Sequence, residues 1–368
     1  MSASLLRRAT TAAAGLTIPL SLIAFTGTAA SADAEPAPTL YTLSNETGGN
    51  RVLAFSVARD GSLTPAGAFA SGGNGSGGGL GSQGSVVVTD DHRRLFAVNA
   101  GSDSVSMFTI RPDGSLRLRS TAPSGGQKPI SVTVHDDTLV VLNGGDNTVS
   151  SLELDGRLRP TGSTRSLTGK AGAQVSFTPD GERVVVTEKM TNSIDVFALD
   201  DNGVIGAPRS TPSTGVTPFG FAFDNNDHLI VSNAAGGAAG ASSLTSYTVA
   251  DNGTANVVSG PVADHQAAAC WVVISENGRY AYTTNTASGT ISGYRIGDDG
   301  GLTLLDPTGV TATVGTGPID AVIGHHNLFT VNAGSHTITT DHVNPSGSLT
   351  PAGTLAGLPA STVGLAIV

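Results

Sequence analysis

A turn dipeptide recurs along this chain at nearly constant spacing, and that recurrence limits the fold more than any other feature. Asp60-Gly61, Asp113-Gly114, Asp155-Gly156, Asn202-Gly203, Asn252-Gly253, Asp299-Gly300 and Ser346-Gly347 are each followed two residues later by an apolar or small residue. The intervals are 53, 42, 47, 50, 47 and 47 residues. Such dipeptides mark hairpin turns, because glycine accepts the positive φ that those turns require. An alternating segment precedes each mark, as in residues 105–110 and 194–199. A period of two is the signature of a half-buried strand.

Further upstream in each unit lies a second strand pattern. It usually closes on an asparagine: Asn45, Asn99, Asn143, Asn233, Asn285 and Asn332, with Glu188 taking the place in the fourth unit. A polar turn such as Thr178-Pro179-Asp180-Gly181 comes before it, and a small-residue strand such as residues 86–88 or 220–223 before that. Four short antiparallel strands in about 47 residues make the blade of a β-propeller. The residues after the last mark and before the first together make about one repeat. The spacing therefore predicts an all-β, seven-bladed propeller in which residues 363–367 form the innermost strand of the blade whose other strands begin at Leu40. That closure hides two sheet edges. It also replaces disulfides, because Cys270 is the only cysteine. Two β-sandwich domains, the alternative, would not require seven equal units.

Composition removes other classes. The 49 glycines of 368 residues follow no three-residue period, which excludes collagen. Glycine, threonine, serine and valine outnumber good helix formers, which argues against long helices. With 39% hydrophobic and 13% charged residues the chain is not disordered. A net charge of −10 without basic clusters argues against nucleic acid and anionic membranes as partners.

The amino-terminal segment reads as an export signal over residues 1–34, followed by the propeller over 35–368. Arg7 and Arg8 precede an apolar stretch from Thr11 to Gly27, and Ala30-Ser31-Ala32 and Ala32-Asp33-Ala34 both fit a signal-peptidase site. The stretch is short of the roughly 20 residues needed to span a bilayer. A secreted or extracytoplasmic protein, a monomer free of the membrane after cleavage, is expected. The paired arginines leave the general and twin-arginine export routes both open.

Residues 177–187 (Phe177-Thr178-Pro179-Asp180-Gly181 and onward) and 277–285 carry a family resemblance. The repeat resembles the YVTN-type and lactonase-type seven-bladed propellers over residues 40–368, most of all the branch that includes 6-phosphogluconolactonase and the carboxymuconate lactonizing enzyme. The resemblance implies hydrolysis or formation of a small lactone at the mouth of the central channel. In that group a Pro-His pair typically opens an innermost strand. Here those places read Pro129-Ile130, Ala173-Gln174, Pro218-Phe219 and Pro318-Ile319, and the place of an Asp-Leu-Gly turn reads Glu188-Lys189-Met190. A non-catalytic binding or interaction propeller is the alternative.

Loops on a rigid scaffold host sites. The candidates on the face of the second-to-third strand loops and the crossovers between blades are few. Glu188 is the expected base if burial raises its carboxyl. Lys189 is expected to stabilise a developing anion, and His265 to carry a proton. Lys128, Lys170, Gln174 and Trp271 are expected to bind a small polar or carboxylated ligand. Cys270 and Asp320 read as packing and structural residues, and the asparagines as turn-closing groups. No cofactor or metal is expected: His325-His326 lacks partners at ligand spacing. Gly73-Asn74-Gly75-Ser76-Gly77-Gly78 matches a dinucleotide fingerprint but no helix pattern follows it, so it reads as a flexible loop between blades.

Overall fold

The computed structural model describes residues 37–368, and the export segment read from the sequence lies outside them. The strands form seven separate antiparallel sheets. Blades 2 to 7 hold residues 86–123, 129–166, 172–212, 218–263, 269–313 and 318–356. Blade 6 has five strands because its outermost one is divided into Leu302–Leu304 and Ala312–Thr313. The innermost strands touch one another in cyclic order, so the sheets stand around a central channel.

Blade 1 is built from both ends of the propeller. Its innermost strand is Val363–Ile367, which pairs with Thr39–Leu43 in the register Leu40 to Ile367 and Tyr41 to Ala366. Backbone bonds of 3.1 Å run both ways between Thr39 and Val368, and Thr42 Oγ1 donates to the Val363 carbonyl at 3.1 Å. The tail therefore closes the ring as the spacing predicts. All seven marked glycines have φ between 62° and 86°, the left-handed region that selects glycine in these turns.

One position shows how blades pack. The third strand carries Phe55, Phe108, Leu152, Phe197, Tyr247 and Tyr294 at matching registers in blades 1 to 6. Each is buried. Tyr247 packs on Val185, Ile194 and Val196 of blade 4, and Tyr294 on Ile230 and Leu244 of blade 5. The hydrophobic core is thus a series of layers between neighbouring blades, while the outermost strands, such as Leu63–Ala70, stay largely exposed. In blade 7 the same register holds Asp341, also buried.

Candidate functional site

The second strand of each blade runs toward the loop face and ends at the turn-closing residue. In five blades this is an asparagine whose Nδ2 reaches hydroxyls on the next strand. Asn99 donates to Ser104 and Ser106, Asn143 to Thr148 and Ser150, Asn233 to Ser243 and Thr245, Asn285 to Thr290 and Ser292, and Asn332 to Thr337 and Thr339, at 2.7–3.3 Å. Glu188 takes this place in blade 4. It is fully buried. It accepts from Gly169 N at 3.1 Å, Thr191 Oγ1 at 2.6 Å and Ser193 Oγ at 2.9 Å. Burial, and then the neighbouring Asp195 carboxyl, hold Glu188 above the usual carboxylate range. The side chain expected to face the channel as a base is therefore committed to its own turn.

The channel is plugged on the loop face. The glycine-rich crossover from blade 1 to blade 2, read as a flexible spacer, is hydrogen-bonded along its length. Gly75 N donates to the Glu46 carbonyl at 2.8 Å, and Gly77 N and Asn45 Nδ2 tie it to the same turn. Its glycines serve close approach: a Cβ on Gly75 would overlap the Asn45 carbonyl. The last residues of this crossover enter the channel. Ser82 Oγ donates to the Ile130 carbonyl at 2.7 Å, and the Ser82 carbonyl accepts from Trp271 Nε1 at 2.9 Å. Gln83 spans to blade 6, giving its Nε2 to the Val272 carbonyl at 2.8 Å and accepting from Val272 N at 3.1 Å. Gln174 does the same to Phe221 of blade 5 at 2.8 and 2.9 Å. The two amides act as short pieces of β-ladder between innermost strands.

Lys189 lies against this plug. Its Nζ donates to the Gly81 carbonyl at 2.5 Å and stands 4.7 Å from the centre of the Phe219 ring. That ring tilts against Trp271 at 5.1 Å, and Trp271 and Cys270 are both buried beside it. Among the described residues only Arg94, Arg183 and Lys189 are lysines or arginines that are not exposed. Arg94 and Arg183 pair with carboxylates and Lys189 does not. Burial pulls the Lys189 ammonium down to about 8, with Lys128 lowering it further. The neighbouring Cys270 thiol is pushed up to about 11 by burial, so it is not a thiolate nucleophile at neutral pH.

Of the predicted site residues, the structure gathers Lys189 and Trp271 at the plug, with Lys128 near enough for its charge to be felt. Lys128 itself is exposed, with φ of 52°. Lys170 is exposed, and its carbonyl accepts from Met190 N at 3.3 Å. His265 stands exposed on the crossover into blade 6. Gln174 is buried and committed to Phe221. Sequence reasoning missed Phe219, the partner of Lys189, and Gln83. It also passed over Asp195, although a signal was present: in blades 2, 3, 6 and 7 a serine or threonine stands seven residues after the asparagine.

The opposite face opens into a cavity of about 1070 Å³. It is the rest of the channel, and its rim is formed by first-to-second strand turns that include Asp90, Asp91, His135 and Asp136. Asp320 lies in its wall, 2% exposed, and one of its carboxyl oxygens has no hydrogen-bond partner. Burial raises it well above the carboxylate range. Its Oδ1 accepts from Ala321 N at 2.8 Å.

These features define a seven-bladed β-propeller with one end of the channel open and the other plugged beside a half-buried lysine that has no carboxylate partner. The sequence profile of the family described as "Lactonase, 7-bladed beta-propeller" matches residues 77–167 and 157–239, so the central part of the chain is similar to these propellers. A 6-phosphogluconolactonase of Enterobacter sp. (strain 638) is 22% identical over 163 residues, 40% of this chain. That match spans about half, 48%, of the relative's length. Among solved structures, a protein of Bacteroides fragilis superposes with a TM-score of 0.74 at 16% identity, covering 92% of this chain and 99% of its own. The periplasmic gluconolactonase PpgL of Pseudomonas aeruginosa gives 0.70 at 18% identity, with 89% and 99% covered. At such identities the likeness speaks for the fold.

Proposed function

We propose that this chain is a lactonase that binds and opens a small lactone against Lys189, on the plugged face of the propeller. Opening a lactone places negative charge on the carbonyl oxygen and leaves a carboxylate. A preorganised cation in a partly dry site stabilises both. The observation that carries the reading is the largely buried Lys189 ammonium without a carboxylate partner. Hydroxide adds to the acyl carbon while Lys189 holds the carbonyl oxygen and Lys128 adds positive charge nearby. The ring acyl C–O bond then breaks, and the departing alkoxide takes the proton of the new acid group, leaving a hydroxy carboxylate. The export signal expected over residues 1–34 supports action outside the cytoplasm, and the names of the Pseudomonas and Enterobacter proteins support lactone chemistry.

A non-catalytic binding propeller is favoured by one observation: Glu188, the nearest expected base, is bound into its turn. Hydrolysis of a lactone panel by wild type and Lys189→Met, beside calorimetric binding of the matching hydroxy acids, separates the two. Lactonase action predicts turnover that falls at least about a hundredfold in Lys189→Met. Binding of the acids without turnover of any lactone supports the second reading instead. The lysine also sets the pH dependence. Its cation is present below about 8 and lost above it, so acid affinity should fall about tenfold per pH unit beyond that point.

A further inference from the structure

Resting on that reading, we propose that the ligand at Lys189 is a singly charged acid, or its lactone, carrying an apolar tail, and that Met190 and Val216 hold the tail. Six large hydrophobic side chains are exposed among the described residues. Leu118, Val257 and Val258 belong to outermost strands, and Val204 to the turn before one, so all four lie on the outer wall of the ring. Met190 and Val216 are the two most exposed, at 73% and 59%, and both stand on the loop face. Two neighbouring loops carry them. Thr217 N donates to Asn192 Oδ1 at 2.7 Å and Ser213 N to the Asn192 carbonyl at 2.8 Å, which fixes the blade 4 turn against the crossover into blade 5. Lys189 precedes Met190 in the turn, and Phe219, the second residue of the strand that the crossover enters, follows Val216 by three. The same two segments thus supply both the cation–ring pair and the two exposed apolar side chains.

The chemistry of the cation limits the head group. The Lys189 ammonium gives one proton to the Gly81 carbonyl and lies over the electron-rich face of Phe219. A carboxylate needs only one such cation. A phosphate dianion needs several donors and positive charges, and here Lys189 has already given one proton to Gly81 while Lys128, the other cation nearby, is exposed to solvent. An alkyl chain gains by covering Met190 and Val216, which the hydroxyls of a sugar acid do not.

The test is calorimetric titration of the full propeller at pH 7 with straight-chain 4-hydroxy acids of increasing length, and with gluconate and 6-phosphogluconate. Affinity should rise about threefold per added methylene. The dependence on length should flatten in Met190→Ser/Val216→Ser, while the short acids keep their binding. Lys189→Met should lose all of the acids. Both substituted apolar residues are exposed, and an unchanged melting temperature would confirm the fold. Binding that ignores tail length, or that favours 6-phosphogluconate, overturns this inference and leaves the Lys189 site standing. Failure of every acid to bind overturns both.

Discussion

Blade 4 and its neighbours solve one problem with different chemistry. In blades 2, 3, 5, 6 and 7 a neutral asparagine closes the second-to-third strand turn by donating to two hydroxyls, five and seven residues on in four of them and ten and twelve on in the longer turn of blade 5. In blade 4 the closing residue is Glu188 and the seventh residue is Asp195, fully buried. Where the other blades set a hydroxyl beside the closing side chain, blade 4 sets a second carboxyl, and burial followed by that neighbour holds Glu188 above the usual carboxylate range. Thr168 N and Oγ1 donate to Asp195 at 2.8 and 2.7 Å. The turn is still closed by hydrogen bonds, but its strength now depends on pH. The turn that gained this dependence is also the one carrying Lys189 and Met190.

The largest effect is expected from cutting the pair. Glu188→Ala leaves Gly169 N, Thr191 Oγ1 and Ser193 Oγ without their acceptor. Chemical denaturation should show a loss of about 3 kcal/mol. A loss below about 1 kcal/mol, the scale of an ordinary surface turn, would mean that Glu188 is no turn-closing group.

Restoring the common pattern should act in the other direction. The folded state holds Glu188 above its ordinary value of 4.5. Its contribution is therefore complete below that value and is lost as the pH rises through the raised one. Glu188→Asn/Asp195→Ser removes the dependence. We expect the double variant to gain about 1–2 kcal/mol over wild type at pH 8 and nothing at pH 4, read from melting temperatures across that range. Parallel curves for the two proteins would refute the pH dependence of the blade 4 turn. Blade 7 sharpens the point. Asp341 stands where the other blades place an aromatic ring or leucine, one of its oxygens has no partner, and burial raises it to about 6. Its contribution likewise falls as the pH climbs through about 6, so Asp341→Asn should stabilise the fold by about 1 kcal/mol at pH 8.

How much of this was legible depends on the range of the interactions. The seven turns, five of the six expected asparagine closures and the tail strand Val363–Ile367 rest on local periodicity and chain closure and stand where the sequence places them, while Asn45 instead gives its amide to Ser76 and Gly78 of the crossover. Lys189 was visible as a charge in a turn, but its partner Phe219 lies 30 residues on in another blade. Gln83 leaves even less trace. It meets Val272 across the channel only because Gly220 has no side chain: a Cβ there would collide with Gln83 Oε1. No period of two or of 47 carries that information. Asp195 lies between these extremes, because its oddity appears only when the blades are aligned and the seventh residue is compared.

The smallest predicted effect tests whether the neutral turns behave as a class. Asn285 Nδ2 donates to Thr290 Oγ1 at 3.1 Å and Ser292 Oγ at 2.7 Å, and its Oδ1 has no partner. Asn285→Ala therefore removes two neutral hydrogen bonds and also relieves one buried, unsatisfied acceptor. The two effects partly offset each other, so the expected loss is about 1 kcal/mol. No group in this turn titrates between pH 4 and 8, and the loss should be the same at both ends. A loss that grew with pH would show that a charged neighbour reaches this turn, and the contrast with blade 4 would then lie in degree, not in kind.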